Sequence, residues 1–152
     1  MTRAAARELA VHLIYAHEFS GDDPHNLISV RLAKDYYAKL SAEVDLYAER
    51  PGSAQRAYID RVVSGVTNRL DELNTCIRKF AIDWDVSRIS KVTKSILQLA
   101  IFEIQYMEDV PTGVAISEAV RMAKLYDGDD TGSFVNGILG SFARSLPQEV
   151  SQ

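Results

Sequence analysis

Apolar positions recur every three or four residues through most of the 152-residue chain, the spacing expected of helices with one buried face. Over residues 3–19, Ala6, Leu9, Ala10, Leu13 and Ile14 fall within an arc of about 140° when each residue advances about 100°, and Ser20-Gly21-Asp22-Asp23-Pro24 ends that helix. Residues 26–48 carry Ile28, Leu32, Tyr36, Leu40, Val44 and Tyr47 at the same spacing, which predicts a long second helix closed by Pro51-Gly52-Ser53. From Ala54 to Phe80, the series Ile59, Val62, Val63, Val66, Leu70, Leu73 and Ile77 predicts one uninterrupted third helix. Asp83-Trp84-Asp85 breaks it, and Trp84 is expected to anchor the core between two apolar helices.

Residues 87–107 are different, because Ile96, Leu97, Leu99, Ala100, Ile101, Phe102 and Ile104 leave almost no polar face. A helix apolar all round belongs in the middle of a bundle. Asp109-Val110-Pro111 punctuates, and residues 113–126 form a helix with Ile116, Ala119, Val120 and Ala123 inward. A polar turn, Asp127 to Gly132, precedes a last helix over 133–146 striped by Val135, Ile138, Leu139, Phe142 and Leu146. Gly137 and Gly140 lie within that stripe and are expected to allow close helix packing. With no strand pattern, internal repeat or low-complexity tract, the pattern predicts an all-α, single-domain bundle of six to seven helices.

At 47% apolar and 25% charged residues, the chain suits one core that needs no covalent staples. A lone cysteine, Cys76, excludes an internal disulfide and gives no sign of a thiolate metal site, which favours the cytoplasm; it reads as a small buried hydrophobe. The opening residues lack an uninterrupted apolar run, so neither a signal peptide nor a membrane span is expected. The net charge of −4 argues mildly against nucleic acid as a partner, although charge is uneven. Arg3 and Arg7 open the chain, while Arg78, Lys79, Arg88, Lys91 and Lys94 cluster in mid-sequence. Acidic residues collect at Asp22 and Asp23 and again at Asp127, Asp129 and Asp130.

Catalytic and cofactor chemistry has no visible foothold. His12, His17 and His25 lack the spacing of a zinc-binding helix, and no phosphate loop, dinucleotide loop or nucleophile elbow occurs. Glu8, Glu103 and Glu118 are isolated helical carboxylates, more often surface charges than acid–base catalysts. No cofactor or metal is expected, and binding without catalysis is the leading class.

Two blocks resemble the NusB family. The first is Arg3-Ala4-Ala5-Ala6-Arg7-Glu8-Leu9-Ala10 with Tyr15 after it. The second runs through Trp84, Ser87-Arg88-Ile89, Ser95 to Ile104, Pro111, Val114-Ala115-Ile116-Ser117-Glu118-Ala119-Val120 and Phe134-Val135-Asn136-Gly137-Ile138-Leu139. The resemblance covers roughly residues 3–20 and 84–143, leaving 21–57 as a divergent, expanded second-helix region. It implies a NusB-like RNA-binding domain spanning 1–152 that binds the single-stranded boxA element of nascent RNA jointly with the ribosomal protein NusE. The pair would then modify the elongating RNA polymerase against termination, on rRNA operons among others. Gln98 stands where the family usually has a basic residue, Thr93 where it usually has a carboxylate, and Ala4 to Ala6 separate the opening arginines. The thinner arginine pattern implies modest affinity for RNA alone, and the changes at Thr93 and Gln98 imply altered pairing with NusE, expected over residues 87–126.

With this resemblance, Arg3 and Arg7, about 40° apart at the edge of the first apolar arc, are candidate phosphate contacts. His12 and Tyr15 project from the outer side of the same helix and are candidates for hydrogen bonding to or stacking on bases. Lys94 belongs to the basic mid-sequence cluster and joins the RNA-binding set. Phe134 lies about 100° from the centre of the last apolar stripe, an unusual place for a large aromatic, and is a candidate base-stacking residue. Asp130, near the start of that helix, is expected at its N-cap, bordering RNA and restraining affinity by repelling phosphate. The alternatives are a protein–protein adaptor, or a stand-alone relative of the NusB-like domain of rRNA cytosine methyltransferases, whose α/β catalytic domain 152 residues leave no room for. A homodimer that hides the RNA face also stays open.

Overall fold

The computed structural model describes residues 1–41, 45–82, 85 and 89–147. Among these are eight α-helices, one short 3-10 turn and no strand, so the architecture is all-α with more helices than the six or seven expected. Trp84, Arg88 and Val44 lie outside the described residues. The chain divides into two compact units, Met1–Arg69 and a second one from Leu70 onward.

In the N-terminal unit, α1 (Arg3–Ser20) begins where Thr2 Oγ1 accepts the Ala5 N–H at 3.1 Å and ends at Gly21. Gly21 has φ +67° and donates its N–H to His17 O at 2.9 Å, a left-handed cap that residues with a Cβ adopt reluctantly. Ala6, Leu9, Ala10, Leu13 and Ile14 are all 2% exposed or less, so the expected stripe is the buried face of α1. It packs on α4 (Ser53–Thr67), whose inward residues are Tyr58, Ile59, Val62, Val63 and Val66.

The expected second helix over 26–48 is broken. In its place are α2 (Pro24–Arg31), α3 (Lys34–Ser41) and a 3-10 turn at Asp45–Tyr47. The break follows Leu32, whose carbonyl accepts from Arg50 Nη2 at 3.0 Å, while Ala33 N–H reverts to a three-residue bond to Val30 O at 3.3 Å. This change of phase turns Tyr37, 1% exposed, into the core in place of Tyr36. The Tyr37 hydroxyl there donates to Glu49 O at 2.7 Å.

The helix expected over 54–80 is also two helices, α4 and α5 (Leu70–Phe80). Thr67 Oγ1 donates to Val63 O at 2.8 Å, and the Arg69 side chain donates to Gly65 O at 3.1 Å. These side chains take carbonyls that a continuing helix shares with its backbone.

In the second unit α6 (Lys91–Tyr106) is central, packing on α5, α7 (Thr112–Asp127) and α8 (Asp129–Ser145). Ile96, Leu97, Leu99, Ala100, Ile101 and Phe102 are each 4% exposed or less; burying each large aliphatic side chain contributes about 1.5–3 kcal/mol. The polar residues of α6 are matched locally. Gln98 Nε2 donates to Asn74 Oδ1 at 2.8 Å on α5, and the Ser90 and Thr93 hydroxyls both donate to Asp127 Oδ2, at 2.7 and 2.8 Å.

Gly128 alone separates α7 from α8. Its φ of +99° makes a one-residue turn, so α8 starts at Asp129, earlier than the expected 133. The close approach between these helices is at Gly132, where a Cβ would sit 2.6 Å from Lys124 Cγ. Gly137 meets nothing within 4 Å and Gly140 meets only Arg144 of its own helix, which corrects the packing role expected of those two glycines.

Candidate nucleic-acid interface

Arg3 and Arg7, one turn apart on α1, both reach Tyr58 of α4. Their guanidinium carbons lie 4.2 and 5.8 Å from the centre of its ring. Arg3 Nε also donates to Gln55 Oε1 at 2.7 Å. Tyr58 is 4% and Arg7 5% exposed. Arg7 therefore departs from the expected arginine at the solvent edge. The α1–α4 contact covers its aliphatic stem, as long basic side chains allow. Arg3 is half-buried and the more exposed of the two.

His12 is half-buried, more covered than expected of a side chain on the outer side of α1. The 3-10 turn brings Tyr47 to it, with 3.1 Å between His12 Nδ1 and the Tyr47 hydroxyl. Burial lowers the His12 pKa, the Glu8 charge opposes that shift, and the Arg31 charge adds to it. The net shift favours the neutral ring, which hydrogen-bonds without carrying a charge. Burial likewise raises Tyr47 and pushes the Tyr37 phenol up to about 12. Tyr15 does project outward: it is 39% exposed and meets the 57%-exposed Phe19 edge-to-face at 4.8 Å.

In the second unit Lys94 is half-buried in the first turn of α6. Asp130 is exposed in the first turn of α8, where a carboxylate complements the helix dipole, and Gly128 holds the N-cap position itself. Phe134 is one turn further along α8 and only 7% exposed. The early start of α8 adds a turn before Phe134, which stands inside the helix at a buried position. The off-stripe reading of this residue is corrected accordingly.

Sequence reasoning missed Gln55 and Tyr58, since nothing in the local pattern of α4 links them to α1. Phe19 was legible, because it follows Tyr15 by four residues and so shares its face. Among the described residues, no group of three or more His, Cys, Asp or Glu side chains is arranged to hold a metal. Cys76 is half-buried, less covered than expected, and burial pushes its thiol up, away from a reactive thiolate. No helix among these residues is long and apolar enough to cross a membrane.

Comparison with known proteins agrees with this architecture. A transcription antitermination protein NusB from Acetivibrio thermocellus is 41% identical over 144 residues, covering 95% of this chain and 90% of that protein. Its namesake from Ruminiclostridium cellulolyticum is 36% identical, covering 99% and 95%. Among solved structures, NusB of T. maritima superposes with a TM-score of 0.77 at 25% identity, covering 95% of this chain and 92% of that one. A complex of the antitermination factors NusB and NusE with double-stranded RNA contains a chain of the same fold, with a TM-score of 0.73 at 20% identity and coverage of 95% and 97%. The NusB family model matches residues 4–144; with two relatives above 30% identity over nearly the whole length, the chain belongs to the NusB family.

Proposed function

We propose that this chain is a non-catalytic transcription antitermination factor that binds boxA-like single-stranded RNA together with NusE and helps assemble the antitermination complex on the elongating polymerase, rRNA operons included. The observation that carries this reading is whole-length similarity to proteins named for antitermination. A NusB of the same fold solved with NusE and RNA supports the choice of partners. The surface of α1 supports the chemistry: Arg3 supplies a cation for phosphate, and Tyr15 with Phe19 supplies aromatic faces for unpaired bases. A net charge of −4 accords with weak binding to RNA alone and with the need for a protein partner.

Arg7 and Phe134 are buried, which counts against two of the expected RNA contacts and favours a protein–protein adaptor as the second reading. Titration of a boxA-like single strand, with and without NusE and at two salt concentrations, separates them. The antitermination reading expects binding that tightens with NusE and weakens with salt. A NusE complex indifferent to RNA would leave the adaptor, and the absence of both interactions would remove both readings.

A further inference from the structure

Arginine has five N–H donors on a flat, rigid fork, and one of those on Arg3 is already committed. Its Nε–H points to Gln55 Oε1 at 2.7 Å, while the guanidinium carbon sits 4.2 Å above the buried Tyr58 ring. With its guanidinium carbon against the ring and its Nε–H held by Gln55, the side chain is restrained at two points, and its Nη groups make no hydrogen bond among the described residues. Arg7, one turn further along α1, also approaches this ring, at 5.8 Å. The acceptor and the ring both come from α4, whereas the arginines come from α1. The α1–α4 contact therefore orients a side chain that sequence alone would leave as a mobile surface cation.

We infer that Gln55 and Tyr58 are positioning residues that hold Arg3 to present its Nη edge to a phosphodiester of single-stranded RNA, with Arg7 as an inner support and not a phosphate contact. This rests on the RNA-binding reading above. Prepaying the ordering of a long side chain favours binding without adding a contact.

The test has an arm that needs no RNA. In the free protein the Arg3 Nε–H proton should give a resolved, slowly exchanging NMR signal that Gln55→Leu abolishes. A fast-exchanging Arg3 signal in the wild type overturns the inference and leaves RNA binding untouched. In the second arm, affinity for a boxA-like single strand is measured for Gln55→Leu, Tyr58→Phe and Tyr58→Leu, each with Arg3 intact or replaced by Ala. Tyr58→Phe keeps the ring face and should bind as the wild type does. Gln55→Leu and Tyr58→Leu should each weaken binding about two- to fivefold, the size of a partly exposed cation–π contact, and should do nothing once Arg3 is Ala. Equal losses in both backgrounds overturn the positioning role. Wild-type protein that binds no RNA, with NusE present, overturns the RNA reading itself and the inference with it. Thermal melts identify any Tyr58→Leu protein that is unfolded, and Gln55→Leu then carries the result alone.

Discussion

In the N-terminal unit, α1 offers solvent an aromatic pair, Tyr15 and Phe19, and a braced Arg3. In the second unit, the start of α8 offers Asp129 and Asp130, while its aromatic, Phe134, is buried. Both regions contain residue types that recognise RNA, yet they present opposite chemistry to a strand. The first offers a cation and exposed rings, and the second offers carboxylates while its ring is covered. Residue type alone does not make a binding surface; the burial of each side chain decides which part of its chemistry faces solvent. Gly128 is the device behind the second arrangement, because its one-residue turn starts α8 early and puts both aspartates in the first turn.

The sharpest way to break this contrast is Phe134→Ala. A phenylalanine 7% exposed should cost about 3–5 kcal/mol of folding stability when truncated, read as a large fall in Tm. An unchanged melt with RNA binding lost would return Phe134 to the binding surface and erase the difference between the regions.

Tyr15→Ala is the counterpart. Its ring is 39% exposed, so stability should move by no more than about 0.5 kcal/mol. RNA affinity should fall about 5- to 150-fold, from about 1–3 kcal/mol for stacking one base. A destabilised protein with normal affinity would mean that Tyr15 serves packing.

The two arginines should separate in the same manner. Arg7→Ala should cost about 1–3 kcal/mol of stability, since a 5%-exposed guanidinium and its stem lose their partners, while the salt dependence of RNA binding stays unchanged. Arg3→Ala should lower the melt less than Arg7→Ala does and should reduce the slope of log K against log salt by about 0.7, the share of one single-strand phosphate contact. Identical behaviour of the two variants in both measurements would remove the division between an inner and an outer arginine.

The smallest effect is on pH dependence. Burial holds the His12 pKa below its ordinary 6.5, so on acidification the unfolded chain takes up that proton first. Stability attributable to His12 is full above pH 6.5, is lost as pH falls through that value, and levels off below the lower folded pKa. His12→Gln should flatten this part of a pH series of melts. Stability that rises on acidification through pH 6.5 in the wild type, and no longer does so in His12→Gln, would mean that the folded protein favours the charged ring.

Much of the architecture was legible along the chain. The stripe of α1 and the apolar α6 follow from residues three and four apart, because such neighbours share a helix face wherever the helix is placed; on α7 Ala119 and Ala123 are buried as expected, but Ile116 and Val120 are half-buried and Ala115 and Met122 are covered beside them. The breaks at Leu32 and after Thr67 were not legible. There, side chains from elsewhere or from the preceding turn take the carbonyls, as Arg50 does at Leu32 and Thr67 at Val63, and the apolar spacing carries on as though nothing intervened. The candidate site shows the same division. Arg3, Arg7, His12, Tyr15, Lys94, Asp130 and Phe134 stand out by residue type, helix phase and family resemblance, all properties of a local stretch.

What the sequence determined by itself is the class of fold, the family, and which residues are of types able to meet RNA. Only the tertiary structure decided that Tyr58 and Gln55 brace Arg3, that Tyr47 covers His12, and that Phe134 is buried. Exposure and hydrogen-bond partners depend on which distant segment packs against a helix, and helical periodicity carries no information about that segment's identity.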